Sequence, residues 1–166
     1  MEGLEQHLTA LVKQWRITGL PGRDTLMKTG EALLAWKREN NLPGLWCSPS
    51  LFMTATLDDA WGFGLDIIEL YAKITGLRVF RIGLLKSPGE IIAACREKNP
   101  DFLGMTVLQL DSADDLSEIG SNIPSHTKII AGGPVFRADP EIARLAKIHF
   151  VAPDVEAFLE FLMSCR

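Results

Sequence analysis

The sequence predicts an α/β protein: a five-stranded parallel sheet wrapped by helices, with a short helical appendage in front of it. Three observations predict this. From Leu51 onward, short apolar runs alternate with longer segments of helical periodicity, and a parallel crossover needs a connection of about that length. Before Leu51 the periodicity is helical only, broken by clusters of Gly and Pro. The length of 166 residues suits one full core with a small addition.

The elements follow in order. Leu4, Leu8, Leu11, Val12 and Trp15 recur at helical spacing, which predicts an amphipathic first helix. Gly19-Leu20-Pro21-Gly22 ends it. A second helix is expected from Asp24 to about Asn40, capped by Asp24 or Thr25, with Leu26, Thr29, Leu33, Leu34 and Trp36 near one face. Asn41-Leu42-Pro43-Gly44 stops it. Residues 1–48 are therefore read as the appendage and 49–166 as the α/β domain. Strands are expected at Leu51–Thr56, Arg78–Ile82, Phe102–Val107, Lys128–Ala131 and His149–Val151. Helices are expected at about Gly64–Thr75, Pro88–Lys98, Ser112–Ser121, Pro140–Lys147 and Asp154–Ser164. This alternation predicts a doubly wound, flavodoxin-like sheet in the order 2-1-3-4-5, with its ligand site beyond the carboxyl ends of the strands. The loops that would build the site are Thr56 to Gly64, Thr106 to Ser112 and Gly132 to Phe136.

Composition narrows the function classes. A net charge of -4 with scattered Lys and Arg offers no basic surface for nucleic acid. No apolar stretch is long enough to span a membrane. The start, Met1-Glu2-Gly3-Leu4-Glu5, is acidic and lacks the basic and apolar regions of a signal peptide, so a cytoplasmic location is expected. Cys47, Cys95 and Cys165 are odd in number and widely spaced, as reduced thiols would be. No Ser/His/Asp or Cys/His arrangement and no cluster of metal ligands presents itself. Gly132-Gly133-Pro134 lacks the Lys of a phosphate loop. Asp58-Asp59 suggests the Mg2+ site of receiver domains, but no acidic residue ends the third strand, so that reading fits poorly.

Three motifs stand in the predicted site loops: Asp59-Ala60-Trp61-Gly62-Phe63-Gly64, Gly104-Met105-Thr106-Val107-Leu108, and Gly132-Gly133-Pro134. With Val151-Ala152-Pro153-Asp154 leading into the last helix, residues 51 to about 164 resemble the cobalamin-binding domain of methionine synthase, methylmalonyl-CoA mutase and the corrinoid proteins of methyltransferase systems. The family carries Asp-x-His-x-x-Gly, Ser-x-Leu and a Gly-Gly pair at these places. The resemblance implies a corrinoid whose nucleotide tail threads down beside the sheet. It implies cofactor-binding roles for Asp59, Trp61, Gly62, Gly64, Thr106, Leu108, Gly132, Gly133 and Pro134. Thr106 would hydrogen-bond the tail base, Gly132 and Gly133 would let the backbone approach it, and Gly64 would leave room for it.

The sequence departs from the family at Trp61, which stands where a histidine ligates cobalt and the preceding Asp tunes it. An indole N–H is a donor with no lone pair for a metal. The reading adopted is a corrinoid bound without a histidine ligand, with Trp61 packed against the ring's lower face, in a carrier serving separate methyltransferases. Two alternatives stay open: a haem or corrinoid sensor with a regulatory partner, or a ligand-free domain in which Trp61 plugs the site, Asp59 caps the next helix and the surface binds protein. His126 and His149 are expected at the wrong end of the sheet. His7 would reach the site only if the appendage folded over it. Cys47 and Met53 are soft candidate ligands, with Met53 expected in the core. Trp15, Trp36 and Trp46 are expected to anchor the appendage. Its apolar surface would serve as a cap, a homodimer contact or a partner interface.

Overall fold

Parallel pairing of five strands in the order 2-1-3-4-5 forms the centre of the protein, seen in a computed structural model that describes residues 3–166. The acidic start at Met1 and Glu2 lies outside the described residues. The strands are β1 Leu51–Thr56, β2 Arg78–Gly83, β3 Phe102–Thr106, β4 Lys128–Gly132 and β5 Phe150–Val151. The helices are α1 Leu4–Thr18, α2 Arg23–Glu39, α3 Phe63–Thr75, α4 Pro88–Lys98, α5 Ala113–Asn122, α6 Val135–Ala138, α7 Glu141–Leu145 and α8 Val155–Ser164. No helix among the described residues is long and apolar enough to cross a membrane.

Alternation along each strand sorts the side chains onto two faces. Phe52, Phe102 and Ile130 share one buried cluster with α1, α2, α3 and α8. Met53, Leu103, Met105, Ile129 and Ala131 share the other with α4, α5 and α7. The helical hairpin α1–α2 thus belongs to a layer of the α/β core. Leu8 is fully buried and Trp15 nearly so. Trp15 meets Tyr71 of α3 edge-on, with ring centroids 5.6 Å apart, and the Tyr71 hydroxyl donates to the Leu26 carbonyl at 2.8 Å. Burial pushes the Tyr71 phenol up to about 12. Trp36 and Trp46 pack half-buried against the same cluster.

The structure corrects several expected element ends. The cap of α2 is Gly22 and no side chain caps it; Asp24 lies in the first turn instead. The expected helix Pro140–Lys147 is shorter, and a separate turn, α6, precedes it. Pro134 and Pro140 each stand at an N-cap and Asp139 between them is extended, as the residue before a proline prefers. A 3-10 turn at Leu110–Ser112 leads into α5. Strand β5 starts at Phe150, one residue after His149.

Candidate functional site

The site begins with register. Thr56 pairs with Thr106, and Thr106 with Gly132, so the ends of β1, β3 and β4 stand side by side at one rim. The loops leaving β1 and β3 are tied down by side chains. The Thr56 hydroxyl donates to the Asp59 carbonyl at 2.6 Å and accepts from the Leu85 amide at 3.0 Å. The Asp58 carboxylate accepts the amides of Leu108 and Gln109 and the Ser112 hydroxyl, at 3.0, 2.9 and 2.7 Å, and so fixes the β3 loop to the β1 loop. Asp59 is buried, and its Oδ1 accepts the amides of Trp61 and Gly62 at 2.8 and 3.2 Å. It shapes the turn before α3, while Gly62 is the N-cap residue. Gly62 has φ +71, a left-handed backbone angle that favours glycine. Asp58 and Asp59 are thus bracing groups for loops, and no cluster of metal-ligating side chains occurs among the described residues.

Below this rim a cavity of about 330 Å³ lies between the sheet, α3 and α8. Asp59, Gly64, Thr106, Leu108, Gly132 and Gly133 line it. The remaining wall was not singled out from the sequence: Leu20 and Leu26 from the hairpin, Ile67 and Ile68 from α3, Met105, Ile130 and Ala131 from the strands, and Ala152, Pro153, Asp154, Val155 and Phe158. These read in sequence as ordinary core residues, and no local signal separates a cavity wall from a core. Pro134 is placed elsewhere, in a neighbouring hollow with Phe136, Arg137 and Val151.

Two observations bear on whether the cavity suits a ligand. The Thr106 hydroxyl is buried and has no hydrogen-bond partner, which costs about 1–3 kcal/mol in an empty site. The glycines around it permit close approaches within the wall itself. A Cβ on Gly64 would lie 2.8 Å from the Thr106 methyl, so this glycine makes room for Thr106 itself. A Cβ on Gly132 would stand 3.0 Å from the Ala152 carbonyl oxygen, and one on Gly133, at φ +117, would lie 2.1 Å from the Val107 carbonyl oxygen. The wall is mainly apolar, with the Thr106 hydroxyl and the Asp59 and Asp154 carboxylates as its polar side chains, the make-up usual of a small-molecule site.

Trp61 does not fill the slot. It is 74% exposed and stacks on Phe63 with centroids 5.9 Å apart. The Arg23 guanidinium covers the Phe63 ring at 3.8 Å. With Leu85, Leu108 and Leu110, also exposed, they form an apolar rim at the carboxyl ends of the strands. Beneath it, Arg81 donates to Glu69 at 2.8 Å and to Asp66 at 2.6 Å, and these carboxylates raise the guanidinium's pKa. Thr54 donates to Glu69 at 2.5 Å, which joins β1, β2 and the start of α3.

The candidate metal ligands lie away from this rim. His7 packs against Trp36 with centroids 4.3 Å apart, near the start of α1, whereas the other end of that helix approaches the cavity. His126 is in an exposed turn before β4. His149 precedes β5, and its Nδ1 accepts the Ile129 amide at 3.0 Å. Met53 is fully buried in the core and Cys47 is exposed ahead of β1.

Residues 51–162 match the family model of the B12 binding domain. The chain belongs to the B12-binding domain family. Among curated protein sequences none matches the chain. Two solved structures share the B12-binding domain's fold here. A novel cobalamin-binding protein from Desulfitobacterium hafniense DCB-2 superposes with a TM-score of 0.80 at 19% identity, over 97% of this chain and 80% of that one. The Methanosarcina barkeri monomethylamine corrinoid protein gives 0.62 at 13% identity, over 99% of this chain and 81% of that one. Both likenesses include the hairpin, which precedes the matched B12-binding segment.

Proposed function

We propose that the chain binds a corrinoid without a histidine ligand and carries it for a separate methyltransferase. The observation that carries the reading is the buried, unpartnered Thr106 hydroxyl, set in an apolar cavity that opens beside an exposed aromatic rim. Membership of the B12-binding family and the fold shared with a corrinoid protein support it.

In this reading each residue has a task. Thr106 donates to the tail base, and Gly132 and Gly133 let the base lie against backbone. Asp59 and Asp58 hold the two rim loops in place through the amides they accept. Trp61 offers its indole face to the ring's underside, kept upright by Phe63 and Arg23. When bound, a corrinoid supplies a cobalt centre able to carry a methyl group between proteins. The site leaves its outer face open to a partner, because the hairpin reaches the rim only through Arg23 on Phe63 and Trp61, Leu85, Leu108 and Leu110 stay exposed.

Titration of the chain with hydroxocobalamin and methylcobalamin, followed by visible absorption, tests the proposal. Saturable uptake is expected, with a spectrum lacking nitrogen ligation from the protein. Trp61→His is expected to add that ligation. Uptake of haem alone would replace this reading with a sensor. No uptake of any of the three would leave a protein-binding domain.

A further inference from the structure

A relay of side chains runs from the core to the rim and passes through the hairpin on the way. Thr54, fully buried on β1, donates to Glu69 Oε1 at 2.5 Å. Arg81 Nε donates to the same oxygen at 2.8 Å, and Arg81 Nη2 donates to Asp66 Oδ1 at 2.6 Å. The second oxygen of Asp66 pairs with Arg23 Nη2 at 3.7 Å. Arg23 lies over the Phe63 ring, its Cζ 3.8 Å from the centroid, and Phe63 stacks on Trp61. Asp66 thus divides its two oxygens between an arginine of β2 and an arginine of the hairpin.

Helix stability does not explain Arg23. It is the first residue of α2, the end at which the helix dipole disfavours a cation. Its charge is answered across the fold, by the Asp66 carboxylate and the Phe63 face. A guanidinium serves both at once, because it is planar, always charged and able to stack on a ring. Trp61 is the group that gains. Asp59 fixes its amide, but its indole is mostly exposed and the ring it stacks on is Phe63. A side chain that must be immobilised on binding costs affinity, and one already held costs less.

We infer, on the corrinoid reading, that Arg23 held by Asp66 is a positioning residue: it fixes Phe63, and through Phe63 the indole face that meets the corrin ring. Arg23 lies outside the segment 51–162 that matches the family. The hairpin therefore sets part of the surface on which the ring rests, at the rim and apart from the tail cavity.

The test reads Trp61 itself. The four tryptophans give four indole N–H resonances in a nitrogen-15 spectrum of the full chain, and Trp61→Phe identifies the one that belongs to Trp61. Arg23→Gln is expected to shift that resonance and leave those of Trp15, Trp36 and Trp46 in place. Arg23→Lys, which keeps the charge and loses the flat face, is expected to shift it less. Asp66→Asn is expected to shift it too, and to add nothing in the Arg23→Gln background, because Asp66 acts through Arg23. In equilibrium dialysis Arg23→Gln is expected to weaken cobalamin about threefold to tenfold, and to weaken it no further in a Trp61→Ala background. A Trp61 resonance unmoved by Arg23→Gln would overturn the inference. So would a shift spread over Trp15 and Trp36, the sign of a loosened hairpin. Unchanged cobalamin affinity, or an equal loss in the Trp61→Ala background, would overturn it as well and leave the corrinoid reading standing. Additive shifts would overturn the role of Asp66. Failure of the unaltered chain to bind cobalamin would overturn the corrinoid reading, and the ring contact with it.

Discussion

The stability of the fold and the proposed corrinoid contact make opposite demands of Thr106. Its hydroxyl is sealed from solvent with no partner, while its methyl packs into the space that Gly64 leaves. Thr106→Val keeps that methyl contact and removes the orphaned hydroxyl. The ligand-free protein is therefore expected to gain about 1 kcal/mol, a rise in melting temperature of roughly 2–4 °C. Corrinoid affinity is expected to fall about tenfold, because the base loses its one donor. Calorimetry on the free protein and a binding titration would give the two opposite signs. A loss of stability would mean that the hydroxyl has a structural partner. Trp61 carries a related lesson. Sequence fixes what an indole is unable to do at cobalt, whereas its 74% exposure is a property of the loop, set by Asp59 holding the Trp61 and Gly62 amides.

Among the elements, the loop after β4 is the most constrained. Gly133 has φ +117, and a Cβ there would sit 2.1 Å from the Val107 carbonyl oxygen, a backbone atom that moves only if the β3 loop moves. Gly133→Ala is expected to cost about 2–4 kcal/mol, read as a lower denaturant midpoint with an unchanged slope. Tolerance of alanine would show that the two loops separate readily. The Gly-Gly pair was legible in the sequence, and its position after the fourth strand was too. Its reason was not legible, because the contact that demands Gly133 comes from Val107, in another loop. The strands were legible because each is a short apolar run set off by glycine, proline or polar residues. The short helix α6 was missed because its four residues, Val135–Ala138, stand between Pro134 and an extended Asp139 and are too few to show a helical period. Asp58 looked like half of a cation site, and only the fold brings Leu108, Gln109 and Ser112 to it.

For the whole molecule, the question is whether the hairpin is an attachment or part of the fold. Leu4, Leu8, Val12, Trp15, Leu26 and Leu33 lie in one buried cluster with Phe52, Phe102 and Phe158. Gly30 lets α2 approach α3 so closely that a Cβ would meet Leu70 at 2.5 Å. Ion pairs from Arg16 to Glu156 and from Arg166 to Glu5 add little, being exposed. Apolar burial therefore joins the layers, and it favours one cooperative transition. Leu8→Ala empties a fully buried position and is expected to cost about 3 kcal/mol. Three of the four tryptophans, Trp15, Trp36 and Trp46, lie in or just after the hairpin, so fluorescence reports mainly on that layer while far-ultraviolet circular dichroism reports on all of it. In a single unit, Leu8→Ala shifts both transitions together. A hairpin that melts alone would move the fluorescence transition ahead and leave most of the dichroism behind. Because Leu20 and Leu26 wall the cavity, a bound corrinoid would draw its stabilisation from the hairpin and the sheet together, and would raise both midpoints by the same amount.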